Sequence, residues 1–177
     1  MKFLKVLLAI IVVLAIIFFV GGLFLPKTYS VNRSLVINAP DSVVYRNIAD
    51  FNEFTKWNPW SKMEPTVKIT VSGPVAQPAH LYQWEGEKTG TGQMLIKNIE
   101  PNKMVDIELK FIKPMESTAD CRFDILPDGT GNKVTWTMSG ENNGTLSKWM
   151  GLMMDKMIGK DFESGLQSLK EKSEKGD

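Results

Sequence analysis

Three patterns of hydrophobic and polar positions divide this chain: an uninterrupted apolar run, several alternating stretches, and two regions of helical periodicity. The apolar run extends from Val6 to Leu25 and holds no charge, with only Gly21 and Gly22 to weaken it. At about 1.5 Å of rise per residue, a helix of this length spans roughly 30 Å, the thickness of a bilayer core. The run therefore predicts a membrane-spanning helix, with residues 1–27 as an N-terminal anchor.

A cleaved secretory signal is the alternative for this segment, because it is N-terminal and begins with Lys2 and Lys5. Against cleavage, the run is longer than the hydrophobic part of a usual signal, and no Ala-x-Ala site precedes Pro26. The positive charges at the N-terminus slightly outweigh Lys27 and Arg33 just after the run, which favours a cytoplasmic N-terminus. We therefore expect a single-pass membrane protein whose C-terminal domain is extracytoplasmic.

Alternation with a period of two marks seven strands after the anchor. In the clearest of them, Val105, Ile107 and Phe111 alternate with polar or charged neighbours. The predicted strands cover residues 29–37, 67–71, 80–85, 91–99, 104–111, 118–125 and 134–138. The last six follow one another through short connections, so neighbours should be antiparallel, and their apolar face needs a covering layer.

Helical periodicity appears in two regions. The first holds two short helices; it begins near Asp41 or Ser42, either of which can cap a helix, and it stops at Asn58-Pro59 because proline excludes its predecessor from the helical conformation. The second is a single long helix over residues 145–172, where Thr145 is a candidate cap and apolar residues recur every three or four positions. We expect residues 173–177 to be a disordered polar tail.

Three glycines lie inside the second helical region: Gly151, Gly159 and Gly165. Each costs up to about 1 kcal/mol relative to alanine in a helix. They indicate either a close approach of the backbone to the sheet or to a ligand, or glycines tolerated on an exposed face. The sequence leaves both interpretations open.

Four aromatic residues crowd into the ten positions from Phe51 to Trp60. Because Pro59 fixes the turn between Trp57 and Trp60, the two indoles are presented from one rigid corner. Aromatic side chains of this size are mostly core residues, which predicts a plug between helices and sheet. The same corner can also close one end of an apolar cavity, and the two interpretations are compatible.

The order of these elements, together with three short motifs, resembles a known family. The motifs are Ile37-Asn38-Ala39-Pro40, Trp57-Asn58-Pro59-Trp60 and Ile158-Gly159-Lys160-Asp161-Phe162. They resemble the polyketide cyclase/dehydrase and START-like (SRPBCC) superfamily, whose helix-grip fold wraps a curved antiparallel sheet around a long C-terminal helix. The resemblance predicts an α+β domain over residues 28–172 and implies a deep apolar cavity that holds a lipid, sterol or polyketide. It implies no single chemistry, since one fold hosts many functions.

Composition narrows the function classes. The formal net charge is +1, and no stripe of lysine and arginine marks a nucleic-acid interface, so no nucleic-acid partner is expected. The chain has one histidine and one cysteine, Cys121, which is too few for a clustered His/Cys metal site. We therefore expect no metal and no cofactor.

One hypothesis is an enzyme of cyclase, dehydratase or hydrolase type, which needs a positioned proton carrier. The single histidine, His80, shares a strand face with Tyr82 if the alternation holds, and such a pair could polarise a carbonyl, with Arg122 or Asp120 as helpers. The alternative is that His80 is a solvated residue that follows a loop.

The main hypothesis is a non-enzymatic domain, anchored through residues 6–25, that binds a hydrophobic small molecule or lipid in the implied cavity. Aromatic residues and methionines are its candidate lining, because unbranched thioethers repack around irregular ligands. The candidate ligand-binding residues are Trp57, Trp60, Trp84, Phe111, Phe123, Trp136, Met150, Met154 and Met157, with Arg33 or Arg122 as polar handles. The remaining alternative is a structural or partner-binding domain with a filled core and no cavity.

Overall fold

The computed structural model describes residues 2–175. Its first helix, α1, comprises Lys2–Phe24, and most of its apolar side chains are exposed. Among the described residues, it is the one helix long and apolar enough to cross a membrane. The predicted membrane span coincides with this helix except for Leu25, which lies just after it.

A seven-stranded antiparallel sheet forms the body of the domain. Its strands are β1 (Thr28–Ile37), β2 (Lys68–Ser72), β3 (Leu81–Glu85), β4 (Thr91–Glu100), β5 (Met104–Lys113), β6 (Ser117–Asp128) and β7 (Gly131–Glu141). The order across the sheet is β1-β7-β6-β5-β4-β3-β2, so only the β1–β7 pair joins strands distant in sequence. This arrangement confirms the predicted α+β helix-grip fold.

Three short helices follow β1 where two were predicted: α2 (Asp41–Ala49), α3 (Phe51–Trp57) and α4 (Pro59–Met63). α3 ends before the proline, as predicted, and α4 begins with that proline in its first position, where a missing N–H is tolerated. Asn58 caps α4 by accepting a hydrogen bond from Trp60 N at 3.0 Å.

The expected cap of α2 is wrong. Pro40 precedes the helix and no side chain caps it, because the carboxylate of Asp41 accepts a hydrogen bond from the adjacent Ser42 N at 2.6 Å instead of from the next turn.

The expected single helix over residues 145–172 is also wrong, since the structure has two helices there. α5 comprises Thr145–Gly151 and α6 comprises Met154–Lys175. α5 packs against α1, whereas α6 packs along β1, and one straight helix could not make both contacts. Thr145 is the first residue of α5 and not its cap, a position that Gly144 occupies.

α6 extends beyond the predicted domain end at residue 172. Ser173 is buried and accepts a hydrogen bond from Asn47 Nδ2 at 3.0 Å. Glu174 accepts one from Asn38 N at 2.8 Å. Residues 173–175 are therefore packed helix, and only residues 176–177 of the predicted tail lie outside the described residues.

The three glycines of this region mark close approaches to other protein groups. A Cβ on Gly165 would lie 2.8 Å from Trp136 Cζ3, and one on Gly151 would lie 2.5 Å from Asn142 Nδ2. A Cβ on Gly159 would collide with the guanidinium of Arg33. The close-approach interpretation is therefore correct, and the exposed-face interpretation is not.

An aromatic stack fills the space between the sheet and α6. The Trp136 ring lies between Phe162, at 4.2 Å between centroids, and Phe123, at 4.8 Å. Trp57 and Trp60 each meet Trp136 edge-on at 5.7 Å. All except Trp60 are almost fully buried, so the predicted aromatic corner is part of the core.

Candidate functional site

The inward face of the sheet is closed at one end and open at the other. Along β5, Val105 and Ile107 are fully buried, whereas Leu109 and Phe111 remain partly exposed. α2 packs over β5 and β6 at the closed end, and the main contacts of α6 with the sheet are to β1 and β7. The inward side chains at the end of β5 are consequently less covered than those at its start.

The open end of the sheet is the end at which α1 joins it. The strand register places Phe111 opposite Gly92, which in turn lies opposite Trp84. On its other side, Phe111 lies opposite Ser117 at the start of β6. The start of β6 lies next to the last residues of β7, which pair with the first residues of β1. The partly exposed inward side chains therefore lie on the α1 side of the domain.

Five partly buried apolar residues lie at the open end, and together they form what we call the open-end rim. They are Trp84, Leu109 and Phe111 of the sheet and Met154 and Ile158 of α6. α6 begins at this end of the domain, because Asp155 in its first turn lines a cleft together with Thr28 and Tyr29 at the start of β1. The rim thus has a part on the sheet and a part on the start of the helix, both at the same end of the domain.

Trp84 is fixed in the rim by the turn between β3 and β4. Its ring occupies the space where a Cβ on Gly92 would be, and it meets Phe111 edge-on at 5.8 Å. Its Nε1 donates a hydrogen bond to Thr89 O at 3.2 Å. Glu64 secures the turn by accepting hydrogen bonds from Thr89 N at 2.9 Å and Thr89 Oγ1 at 2.8 Å, and these donors lower the pKa of Glu64 to about 2.

The predicted ligand-binding residues divide between the rim and the core. Trp84, Phe111 and Met154 lie in the open-end rim. Trp57, Phe123 and Trp136 lie in the aromatic stack, where protein atoms enclose them. Trp60 lies at the margin of the stack and is partly exposed.

The other predicted residues are outside both groups. Met150 and Met157 are exposed on the surface. Arg122 lies on the outer face of β6, because the residues on either side of it face inward. On that face it pairs with Asp124 at 2.7 Å. The structure therefore does not bring Arg122 to the aromatic side of the sheet.

Arg33, the other candidate polar handle, fastens β1 to α6. Its guanidinium donates to Asp155 at 2.8 Å and to Glu163 at 2.7 Å. These hydrogen bonds raise the pKa of Arg33 and lower the pKa of Asp155. The absence of a side chain at Gly159 leaves room for the guanidinium.

His80 is buried, so the expectation of a solvated residue is wrong. Its Nε2 accepts a hydrogen bond from Phe51 N at 3.1 Å, and its Nδ1 lies 3.0 Å from Ser72 O, which assigns the ring proton to Nδ1. The ring stacks on Phe51, which also meets Tyr82 edge-on. Burial raises the pKa of Tyr82. The predicted pair does share one face, but both nitrogens of His80 already bind backbone groups.

Cys121 is also a core residue. Trp136 Nε1 donates a hydrogen bond to its Sγ at 3.0 Å, and burial raises the pKa of the thiol to about 12. The thiol is therefore protonated at neutral pH and is a poor nucleophile. Within residues 2–175, no three His, Cys, Asp or Glu side chains are close enough together to hold a metal ion.

Sequence reasoning missed two rim residues, Leu109 and Ile158. Both follow the periodicity of their elements, but neither has the aromatic size or thioether flexibility that identified the others. It also missed two open clefts of about 190 and 300 Å³ where α1 meets the domain, both lined by Thr28, Asn142 and Lys148. No local pattern identifies these clefts, because residues distant in sequence form them.

Comparison with known proteins gives a family match and several similar folds. The profile of the family described as "Polyketide cyclase / dehydrase and lipid transport" matches residues 28–174. No curated protein matches the sequence.

Three solved structures illustrate the similarity of fold. The Aha1 dimer from Colwellia psychrerythraea is 18% identical, with a TM-score of 0.58, over 84% of this chain and 98% of that one. A solution structure from Thermobifida fusca is 16% identical, with a TM-score of 0.63, over 82% and 93%. The di-domain ARO/CYC StfQ from the steffimycin biosynthetic pathway is 10% identical, with a TM-score of 0.62, over 84% and 51%. At these identities, the similarity shows the fold alone.

Proposed function

The chain belongs to the polyketide cyclase/dehydrase and lipid transport family, and we propose that it is a membrane-anchored domain that binds a hydrophobic small molecule or lipid. The binding site is the open-end rim, between the sheet and the first turns of α6. α1 is the anchor, and the domain lies outside the cytoplasm.

The partly exposed rim is the observation that carries this proposal. Large apolar side chains grouped at a surface are unusual in soluble domains unless a ligand or partner covers them. One member of the rim, Trp84, is also held in place by the Glu64 turn and by its ring contact with Phe111. A hydrophobic ligand would remove these side chains from water, at a gain of about 25 cal/mol per Å² of apolar surface.

The anchor supports the same reading. A hydrophobic ligand is sparingly soluble in water and concentrates in the bilayer. Because the rim lies on the α1 side of the domain, the anchor keeps the site close to that source.

The aromatic stack favours a second candidate, a partner-binding domain with a filled core. Phe162, Trp136 and Phe123 occupy the space that the family resemblance assigns to a deep cavity. On this reading the rim contacts another protein. The enzyme hypothesis lacks such support, because backbone groups use both nitrogens of His80.

Native mass spectrometry of the full chain, released from detergent micelles, tests the proposal. Spectra are recorded before and after solvent extraction, and then after incubation with fatty acids. We expect an added mass that extraction removes and that fatty acid restores. A clean protein mass that takes up no lipid would contradict ligand binding and favour the partner-binding candidate.

A pair of variants on α6 tests the location. Met154→Lys places a charge in the rim and should abolish retention of the added mass. Ser164→Lys adds the same charge at an exposed position of the same helix and should retain it. Equal retention by both folded variants would contradict α6 as one wall of the site.

A further inference from the structure

α5 is held against the side of α1 by three contacts. Trp149 Nε1 donates a hydrogen bond to Phe18 O at 3.1 Å, and Lys148 Nζ donates one to Gly22 O at 3.0 Å. The rings of Phe18 and Trp149 stack, with centroids 6.3 Å apart and planes inclined by 13°. α5 therefore lies alongside the last two turns of α1 and not beyond its end.

Two glycines of α1 make this contact possible. A Cβ on Gly22 would lie 2.5 Å from Thr145 Cγ2, and a Cβ on Gly21 would lie 3.2 Å from Trp149 Cζ2. Small residues allow helices to approach closely within membranes. The glycines that weaken the apolar run in the sequence thus provide the surface on which α5 rests.

The length of α1 sets the depth of the contact. The run from Val6 to Leu25 is roughly 30 Å long as a helix, so it only just crosses a bilayer core and has to remain within it. Phe18 lies seven residues, or about 10 Å, before Leu25. Trp149 contacts Phe18 and also Gly21, which lies four residues, or about 6 Å, before Leu25. Its ring is therefore held about 6–10 Å inside the end of the apolar run, the depth to which a helix lying in the membrane interface buries its apolar face.

The outward surface of α5 and the turns that follow it is apolar. Its exposed members, which we call the α5 surface, are Leu146, Met150, Leu152, Met153 and Met157. Of the three charged residues in this stretch, Lys148 binds Gly22 O and Asp155 pairs with Arg33. The third, Lys156, is exposed, and a long lysine side chain can extend to the headgroups.

We infer that the α5 surface is inserted in the bilayer beside α1, at the boundary between headgroups and acyl chains. The inference rests on the membrane anchoring proposed above. Lipid is the occupant because α5, which carries this surface, packs against the last two turns of α1, whose own apolar side chains are exposed. The domain is then seated on the bilayer, and a ligand enters the open-end rim from lipid rather than from water.

Single cysteines labelled with the fluorophore NBD test the insertion in the full chain. Cys121 can stay in place, because it is buried and its thiol is protonated. Met153→Cys reports on the α5 surface, and Met157→Cys is an independent second reporter. Ile10→Cys in α1 is the lipid control, and Leu126→Cys, exposed beside the β6–β7 hairpin remote from α1, is the water control.

The labelled proteins are placed in phosphatidylcholine vesicles and quenched by iodide in water or by lipids with nitroxide on the acyl chain. We expect the labels at residues 153, 157 and 10 to be quenched several-fold more by nitroxide lipid than by iodide. The label at residue 126 should show the reverse. The quenching experiment needs no bound ligand. Its result would therefore stand even if native mass spectra showed that the binding site was empty.

Three outcomes would overturn the inference, and they differ in what else they overturn. If the label at residue 10 responds to lipid and those at 153 and 157 to iodide, α1 spans the membrane but α5 lies in water. If the label at residue 10 responds to iodide, the anchoring itself is wrong. If the labels at 153 and 157 are shielded from both quenchers, a second copy of the chain covers the surface instead of lipid.

Discussion

Truncation of Phe162 tests whether protein atoms fill the space between the sheet and α6. Phe162 is 1% exposed, and its ring stacks on Trp136 at 4.2 Å. Replacing a buried phenylalanine with alanine costs about 3–5 kcal/mol, which includes the cavity left behind. For a domain of this size, 1 kcal/mol lowers Tm by about 2–4 °C, so Phe162→Ala should lower Tm by about 6–20 °C.

Urea unfolding of the full chain in a mild detergent, followed by circular dichroism, measures this change. Phe162→Leu keeps most of the volume and should lose much less, about 1.5 kcal/mol or below. Met157→Ala is the matched control on the same helix, because Met157 is 53% exposed, and it should change stability by no more than about 0.5 kcal/mol. A loss below about 1 kcal/mol for Phe162→Ala would refute the reasoning, since it would mean that the ring borders an open or ligand-filled volume.

Three further predictions concern buried polar groups. Glu64→Gln should lower Tm at neutral pH. Because the pKa of Glu64 falls from 4.5 to about 2 on folding, the Tm difference from wild type should be full above pH 4.5 and vanish as the pH falls to about 2. A difference independent of pH would contradict the role of the charge. His80→Ala should destabilise the domain by about 1–3 kcal/mol for each backbone group left unpaired, as measured by urea unfolding, whereas a variant as stable as wild type would contradict a structural role. Cys121 should resist alkylation by iodoacetamide at pH 8 until the protein is unfolded, as measured by the mass increase; rapid modification of the folded protein would show that the thiol is accessible.

The sheet could be predicted from the sequence because its signal is local. Each strand shows its own alternation of apolar and polar residues, which determines the face of the sheet that each side chain occupies. Hairpin connections then pair strands that are neighbours in the sequence. The aromatic corner could be predicted for the same reason, since Pro59 lies within the motif that it shapes.

The features that sequence missed depend on contacts between distant segments. The break between α5 and α6 arises because Trp149 binds α1, about 130 residues away in the chain. The burial of Glu64 depends on the turn at Thr89. Nothing in the sequence around Glu64 distinguishes it from an exposed glutamate. The filled space beneath α6 likewise depends on how Phe162 stacks on Trp136. Neither the helical periodicity of α6 nor the alternation of β7 predicts this contact.

Photo-crosslinking with a diazirine fatty acid, in vesicles that hold the full chain, tests hydrophobic-ligand binding at the open-end rim most directly. The modified peptides are mapped by mass spectrometry, with and without an excess of unlabelled fatty acid. We expect crosslinks in the peptides that contain Trp84 and Phe111, and we expect the excess to compete for these but not for crosslinks in α1. Crosslinks confined to α1 and α5, with none in the rim, would contradict the proposed site.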